Sequence, residues 1–107
     1  GKYTMSDPMK IRAKMKGDVA EIRVLMGHPM ETGQRKDAAG KAIPPHFIQS
    51  MKVEVGGKVI VDGQIGTSVS RNPVFGFKMK GAKSGDKVVI SWVDNKGDKR
   101  SDEVAIA

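Results

Sequence analysis

Short runs in which apolar and polar residues alternate, each cut off by a glycine- or asparagine-containing turn, dominate this chain. Successive side chains of an extended strand point to opposite faces, so a period of two marks a strand with one buried face. The clearest run is Met9-Lys-Ile-Arg-Ala-Lys-Met-Lys16. Met9, Ile11, Ala13 and Met15 point one way, and Lys10, Arg12, Lys14 and Lys16 point the other. Gly17-Asp18 supplies a tight turn. In residues 19–26, Ala20, Ile22, Val24 and Met26 share a face opposite Glu21, Arg23 and Leu25. The two runs read as a hairpin.

Similar runs follow at 46–55, 58–62, 74–80 and 87–93, and a last one, with Val104 and Ile106, closes the chain at 99–107. Gly56-Gly57 is a hairpin signal, and Asp94-Asn-Lys-Gly-Asp98 is a turn. The region 63–73 reads as loop, with Ile65 and Val69 able to anchor a short strand. No segment keeps a 3.6-residue apolar period. About seven short strands separated by turns predict an all-β sandwich or barrel. Residues 6–107 are expected to form one such domain, and residues 1–5 a cloning remnant or disordered tail.

The longest stretch without strand character is 27–45, which holds Gly27, Gly33, Gly40, Pro29, Pro44 and Pro45. Loops of this length in small domains are usually functional or disordered. It is flanked by the only two histidines, His28 and His46.

Composition excludes several chemistries. The chain has no cysteine, so it has no disulfide, thiolate nucleophile or sulfur-ligated zinc. No run of about 18 apolar residues is present to span a membrane. The segment 1–7 lacks the apolar stretch of a signal peptide. Nucleophilic catalysis needs a base beside a nucleophile and a group that orients the base. Serines are scattered here and no Gly-x-Ser-x-Gly elbow occurs. The chain therefore reads as a non-enzyme without a cofactor.

Two binding chemistries compete with plainer readings. His28-Pro-Met30 has the form of a soft copper pair. However, five of the seven methionines fall on apolar strand faces, where methionine fills gaps. A net charge of +7 admits a small basic OB-like barrel that binds nucleic acid, the alternative function. Against it, the aromatics mostly hold core-phase positions, and lysines are spread over nearly every strand and turn as on an ordinary solvated surface.

A fourth signal concerns protein partners. Leu25, Ile48, Ile60, Val74, Val89 and Val93 stand opposite the apolar face of their own strands. A sandwich normally shows water one face per strand, so a second apolar face implies a cover or a shift of strand phase. Leu25, Ile48, Ile60, Val89 and Val93 are the residues expected at a protein–protein interface, and at a self-association surface when the partner is missing.

The long loop also carries a family resemblance. Its string Gly-His28-Pro-Met-Glu-Thr-Gly-Gln-Arg-Lys-Asp37, continuing to Ile-Pro-Pro-His46-Phe-Ile-Gln, resembles the Z subunits of the bacterial sulfur-oxidation (Sox) carrier complex, the SoxZ family. The flanks Met9-Lys-Ile-Arg-Ala, Ser70-Arg-Asn-Pro-Val-Phe and Val88-Val-Ile-Ser-Trp-Val-Asp-Asn-Lys-Gly97 agree. The resemblance implies an immunoglobulin-like sandwich without a catalytic residue. It implies a heterodimer, or higher assembly, with a SoxY-like subunit that carries sulfur intermediates on a cysteine during thiosulfate oxidation. It further implies transient contacts with other Sox enzymes, and a periplasmic location reached by co-export with a signal-bearing partner. Neither nucleic acid nor membrane is an expected partner. His28, Arg35, Lys36 and His46 are the loop groups whose chemistry suits sulfur oxyanions or an acidic partner.

Overall fold

The computed structural model describes residues 8–66 and 69–107, so the expected tail at 1–5 lies outside the described residues. Seven strands form: β1 (Lys10–Lys16), β2 (Val19–Leu25), β3 (Ile48–Val55), β4 (Lys58–Gln64), β5 (Val74–Lys80), β6 (Lys87–Asp94) and β7 (Lys99–Ala105). No helix occurs among the described residues. The strands divide into two antiparallel sheets, ordered β1-β2-β5 and β4-β3-β6-β7. Three strands facing four in this order give an immunoglobulin-like sandwich in which β4 joins the sheet of β3, β6 and β7. Two open sheets are not a closed five-stranded barrel, so the OB-like alternative fails on topology.

Alternation sets which side chains face inward. Ile22 and Val24 from β2, Val53 from β3, and Val88, Ile90 and Trp92 from β6 are all nearly or fully buried. Each large apolar side chain so buried contributes about 1.5–3 kcal/mol. The two sheets are also tied along one edge. Met15 N donates to Ala107 O (3.0 Å) and Ala107 N to Ala13 O (2.9 Å), while Met9 N donates to Asp102 Oδ2 (2.9 Å). Arg100 grips the same Asp102 carboxylate with two bonds of 2.9 Å.

Two expected outward residues turn inward, each at a β-bulge. An extra residue in one strand shifts its alternation by one. The β3–β6 register slips between Ile48 and Ser50, which pairs Ile48 with Asp94 on the inner face. Ile48 is fully buried in the core, not on a second face. The β3–β4 register slips between Val53 and Glu54; Val53 faces Val61 and Glu54 faces Val59, leaving Ile60 as the extra residue. Ile60 is partly buried and packs against the core, and Val59 takes the outer position at 51% exposure.

Candidate functional site

The segment between β2 and β3 is an ordered irregular hairpin. Glu31 and His46 exchange backbone hydrogen bonds, Ile43 N donates to Arg35 O, and Asp37 N to Lys41 O. At the tip, Asp37 Oδ1 accepts the backbone N–H groups of Ala39 and Lys41, both at 2.9 Å. An aspartate that bonds its own following backbone in this way fixes a turn.

The base of the hairpin is stapled to the turn after β6. His28 Nε2 lies 3.0 Å, and His46 Nε2 2.7 Å, from the same Asp94 Oδ2. The other carboxylate oxygen accepts the backbone N–H groups of Lys96 and Asp98, both at 2.9 Å. Asn95 adds a second clasp: its Oδ1 accepts Phe47 N (2.7 Å), and its Nδ2 donates to Pro45 O (3.0 Å). The ring of His28 stands edge-on to Trp92 (5.1 Å) and to His46 (4.6 Å).

The backbone around His28 is bent to fit. Asn72 accepts the His28 N–H through its side chain (3.1 Å) and donates its own N–H to His28 O (2.9 Å). Met30 N donates to His28 Nδ1 at 3.1 Å. Among the described residues, Asn72 and Met30 are the non-glycine residues with positive φ, at 51° and 49°. Asparagine tolerates this left-handed region, while methionine pays for it in strain. The staple is what holds Met30 there.

These bonds fix protonation. Because Met30 N–H points at His28 Nδ1, that nitrogen bears the lone pair and Nε2 bears the proton given to Asp94. Burial lowers the pKa of His28 against the pull of Asp94. For Asp94, burial acts to raise the pKa, but the bonds from His28, His46, Lys96 and Asp98 outweigh it and hold the carboxyl below its usual range. The group is thus an ionised carboxylate saturated by four donors.

His28, His46 and Asp94 have the composition of a metal site and lie close enough together to form one. The tautomer does not suit it. A histidine that ligates through Nε2 must carry its proton on Nδ1, where it would confront the Met30 N–H. Nor does Met30 offer a free thioether: its Sδ accepts the Ile48 N–H at 3.4 Å. The constellation is built to hold a loop.

Of the loop residues singled out from the sequence, the structure brings His28 and His46 together and leaves Arg35 and Lys36 on the exposed hairpin. Arg35 pairs with Glu31 at 2.7 Å. Asp94 and Asn95, the receiving half of the staple, were legible in sequence only as turn residues. Of the apolar residues, Leu25 and Val93 are exposed (36% and 40%), and Val89 is partly exposed on the same outer face as Val93.

Together these features define a cysteine-free, immunoglobulin-like sandwich with a hairpin stapled to one end by two histidines and an aspartate. Residues 9–105 match the family described as sulphur oxidation protein SoxZ, and the chain belongs to that family. No curated relative matches in sequence. Among solved structures, a hypothetical protein of Pyrococcus horikoshii is similar at 18% identity and TM-score 0.66, over 95% of this chain and 89% of that one. A superoxide reductase (neelaredoxin) of Archaeoglobus fulgidus is similar at 20% identity and TM-score 0.65, over 95% and 90%. One from Ignicoccus hospitalis gives 20% and 0.58, over 95% and 82%. At such identity these likenesses speak for the fold alone.

Proposed function

We propose that this chain is the non-catalytic, partner-holding subunit of a periplasmic carrier of sulfur compounds in thiosulfate oxidation. A second, SoxY-like subunit bears the sulfur intermediate on a cysteine, and this chain holds it as a heterodimer or larger assembly. The observation that carries the reading is the family match across residues 9–105. Two features agree with it. The chain has no cysteine on which to carry sulfur, and both histidines spend their Nε2 protons on Asp94 rather than on a substrate.

The surface best suited to the resident partner is the outer face of β4-β3-β6-β7. Lys52, Lys87 and Lys99 there balance Glu54, Asp62 and Glu103, and Val59, Val89 and Val93 supply apolar contact. A face without net charge gives no long-range steering, so with its aliphatic residues it suits a permanent interface better than a steered encounter. The test is purification of the chain from its native host under mild conditions. A stoichiometric second protein, shown by intact mass to carry a thiosulfate-derived adduct on cysteine, is expected. A chain that elutes alone, or a partner without a modified cysteine, would overturn the reading.

A further inference from the structure

The outer face of the other sheet is chemically different. The registers set its twelve outward residues in four rows: Lys10–Leu25–Val74, Arg12–Arg23–Gly76, Lys14–Glu21–Lys78 and Lys16–Val19–Lys80. Seven are cationic and only Glu21 is anionic. The face therefore carries a net +6, beside a whole-chain charge of +7, while the opposite outer face is balanced.

Sheet stability does not account for this arrangement. Like charges directly opposite each other weaken a strand pair, and Arg12 stands opposite Arg23. The internal relief is slight: Glu21 reaches Lys78 at 3.9 Å, and Asp18 reaches Lys80 at 4.0 Å. Where Arg23 meets Gly76 the third strand has no side chain, and a groove runs between Arg12, Arg23 and Lys78. At the end of the sheet from which the stapled hairpin springs, Leu25 and Val74 are paired and exposed (36% and 58%).

We propose that this face docks an acidic protein surface, which seats on the Leu25–Val74 pair and lays its carboxylates along the groove beside Gly76. Rim charges of one sign speed encounter with an oppositely charged partner, and a small apolar centre slows its departure. A protein fits better than a nucleic acid because none of the twelve outward residues is an aromatic on which a base could stack. Phe75 and Phe77 both pack against the core. A second copy of the chain is excluded by charge, since two such faces repel each other. The proposal does not depend on the carrier reading.

The test uses the full isotopically labelled chain at physiological salt, with a short polyglutamate peptide as probe. Amide shifts are expected to concentrate around Arg12, Glu21, Arg23 and Gly76. The triple variant Arg12→Gln/Arg23→Gln/Lys78→Gln should bind about tenfold or more weakly. The equally charged triple Lys52→Gln/Lys87→Gln/Lys99→Gln should stay within about twofold. Gly76→Glu provides a second probe. A Cβ there meets nothing closer than Ile22 O at 3.9 Å, so the fold tolerates it while the groove is filled with negative charge. Equal loss in both triples, or shifts spread over the other sheet, would reduce the effect to net charge and overturn the proposal. Tighter binding of a DNA duplex, or of phosphatidylglycerol vesicles, than of the peptide at the same salt would overturn it in favour of that polyanion.

Discussion

His28 and His46, one at each end of the long hairpin, place their Nε2 atoms 3.0 and 2.7 Å from one oxygen of Asp94. That shared acceptor anchors an irregular hairpin, paired internally only by isolated bridges such as Glu31–His46, as an ordered projection. A connection this long has a closure cost that grows only slowly with length. A few well-made bonds at its base are therefore enough to fix it. The asymmetry of hydrogen bonding explains why the Asp94 carboxylate is so fully satisfied: an orphaned buried group costs more than a made bond returns.

Asp94→Asn should therefore destabilise the fold. An amide has one acceptor oxygen where the carboxylate has two, so either the histidine pair or the backbone pair of Lys96 and Asp98 faces an NH₂ donor. The expected loss is about 1–3 kcal/mol, the cost of leaving a buried donor unsatisfied. Urea unfolding measures it. Hydrogen exchange should also show faster exchange of the Glu31 and His46 amides, which close the hairpin base. A loss under about 0.5 kcal/mol, within the range of an ordinary surface substitution, would mean that the staple is decorative.

The same site predicts a two-step response to acid. His28 has a folded pKa below the unfolded value of about 6.5. The unfolded chain then takes up a proton first, so stability falls as pH drops from that value toward the folded pKa. Asp94 has a folded pKa below its unfolded value of about 3.9. Its contribution is present above that value and is lost as pH falls through the folded pKa. Urea midpoints measured across pH should show both steps. In His28→Gln the upper step should shrink while the lower one remains. An upper step unchanged in that variant would assign it to another group.

The strands were legible because alternation is local: each run carries its own evidence. The bulges were not, because an extra residue is defined only against the partner strand; Ile48 and Ile60 changed faces for that reason. The two histidines could be picked out as the residues flanking the loop. Their convergence on Asp94 could not, because that carboxylate is 48 residues beyond His46 and reads as turn chemistry. Charge asymmetry was hidden in the same way. Lys10, Arg12, Lys14 and Lys16 already share one face in the first run, but Arg23, Lys78 and Lys80 join them only after β1, β2 and β5 are placed side by side.

The edge clasp can be tested separately. Asp102 accepts Met9 N and both Arg100 bonds, and the Arg100 bonds are the main reason its carboxyl stays below the usual range. It is only partly buried, so solvent screening reduces its worth. Asp102→Ala should cost about 1–2 kcal/mol, the value of a few charge-assisted bonds at a half-wet site. The loss should be accompanied by faster exchange of the Met9 and Met15 amides. Slower unfolding, or no change in those amides, would place the clasp outside the determinants of stability.

The corrected strand phases separate stability from partner binding. Ile48 lies in the core at full burial, and Ile48→Ala should cost about 2–5 kcal/mol of stability, the range for truncating a buried isoleucine. Val93 and Val59 are exposed on the neutral outer face, so Val93→Ala and Val59→Ala should change stability by no more than about 0.5 kcal/mol. If that face holds the resident partner, the same two substitutions should weaken the complex. The effect should be about 1 kcal/mol or more for a residue near the interface centre, and Val93→Asp should be worse because its carboxylate would be desolvated without a counter-charge. Denaturation of the isolated chain and titration of the partner are read side by side. A Val93→Asp chain that folds normally and binds normally would move the resident interface to another surface. A Val93→Ala chain that unfolds would show that the outer position of Val93 is wrong.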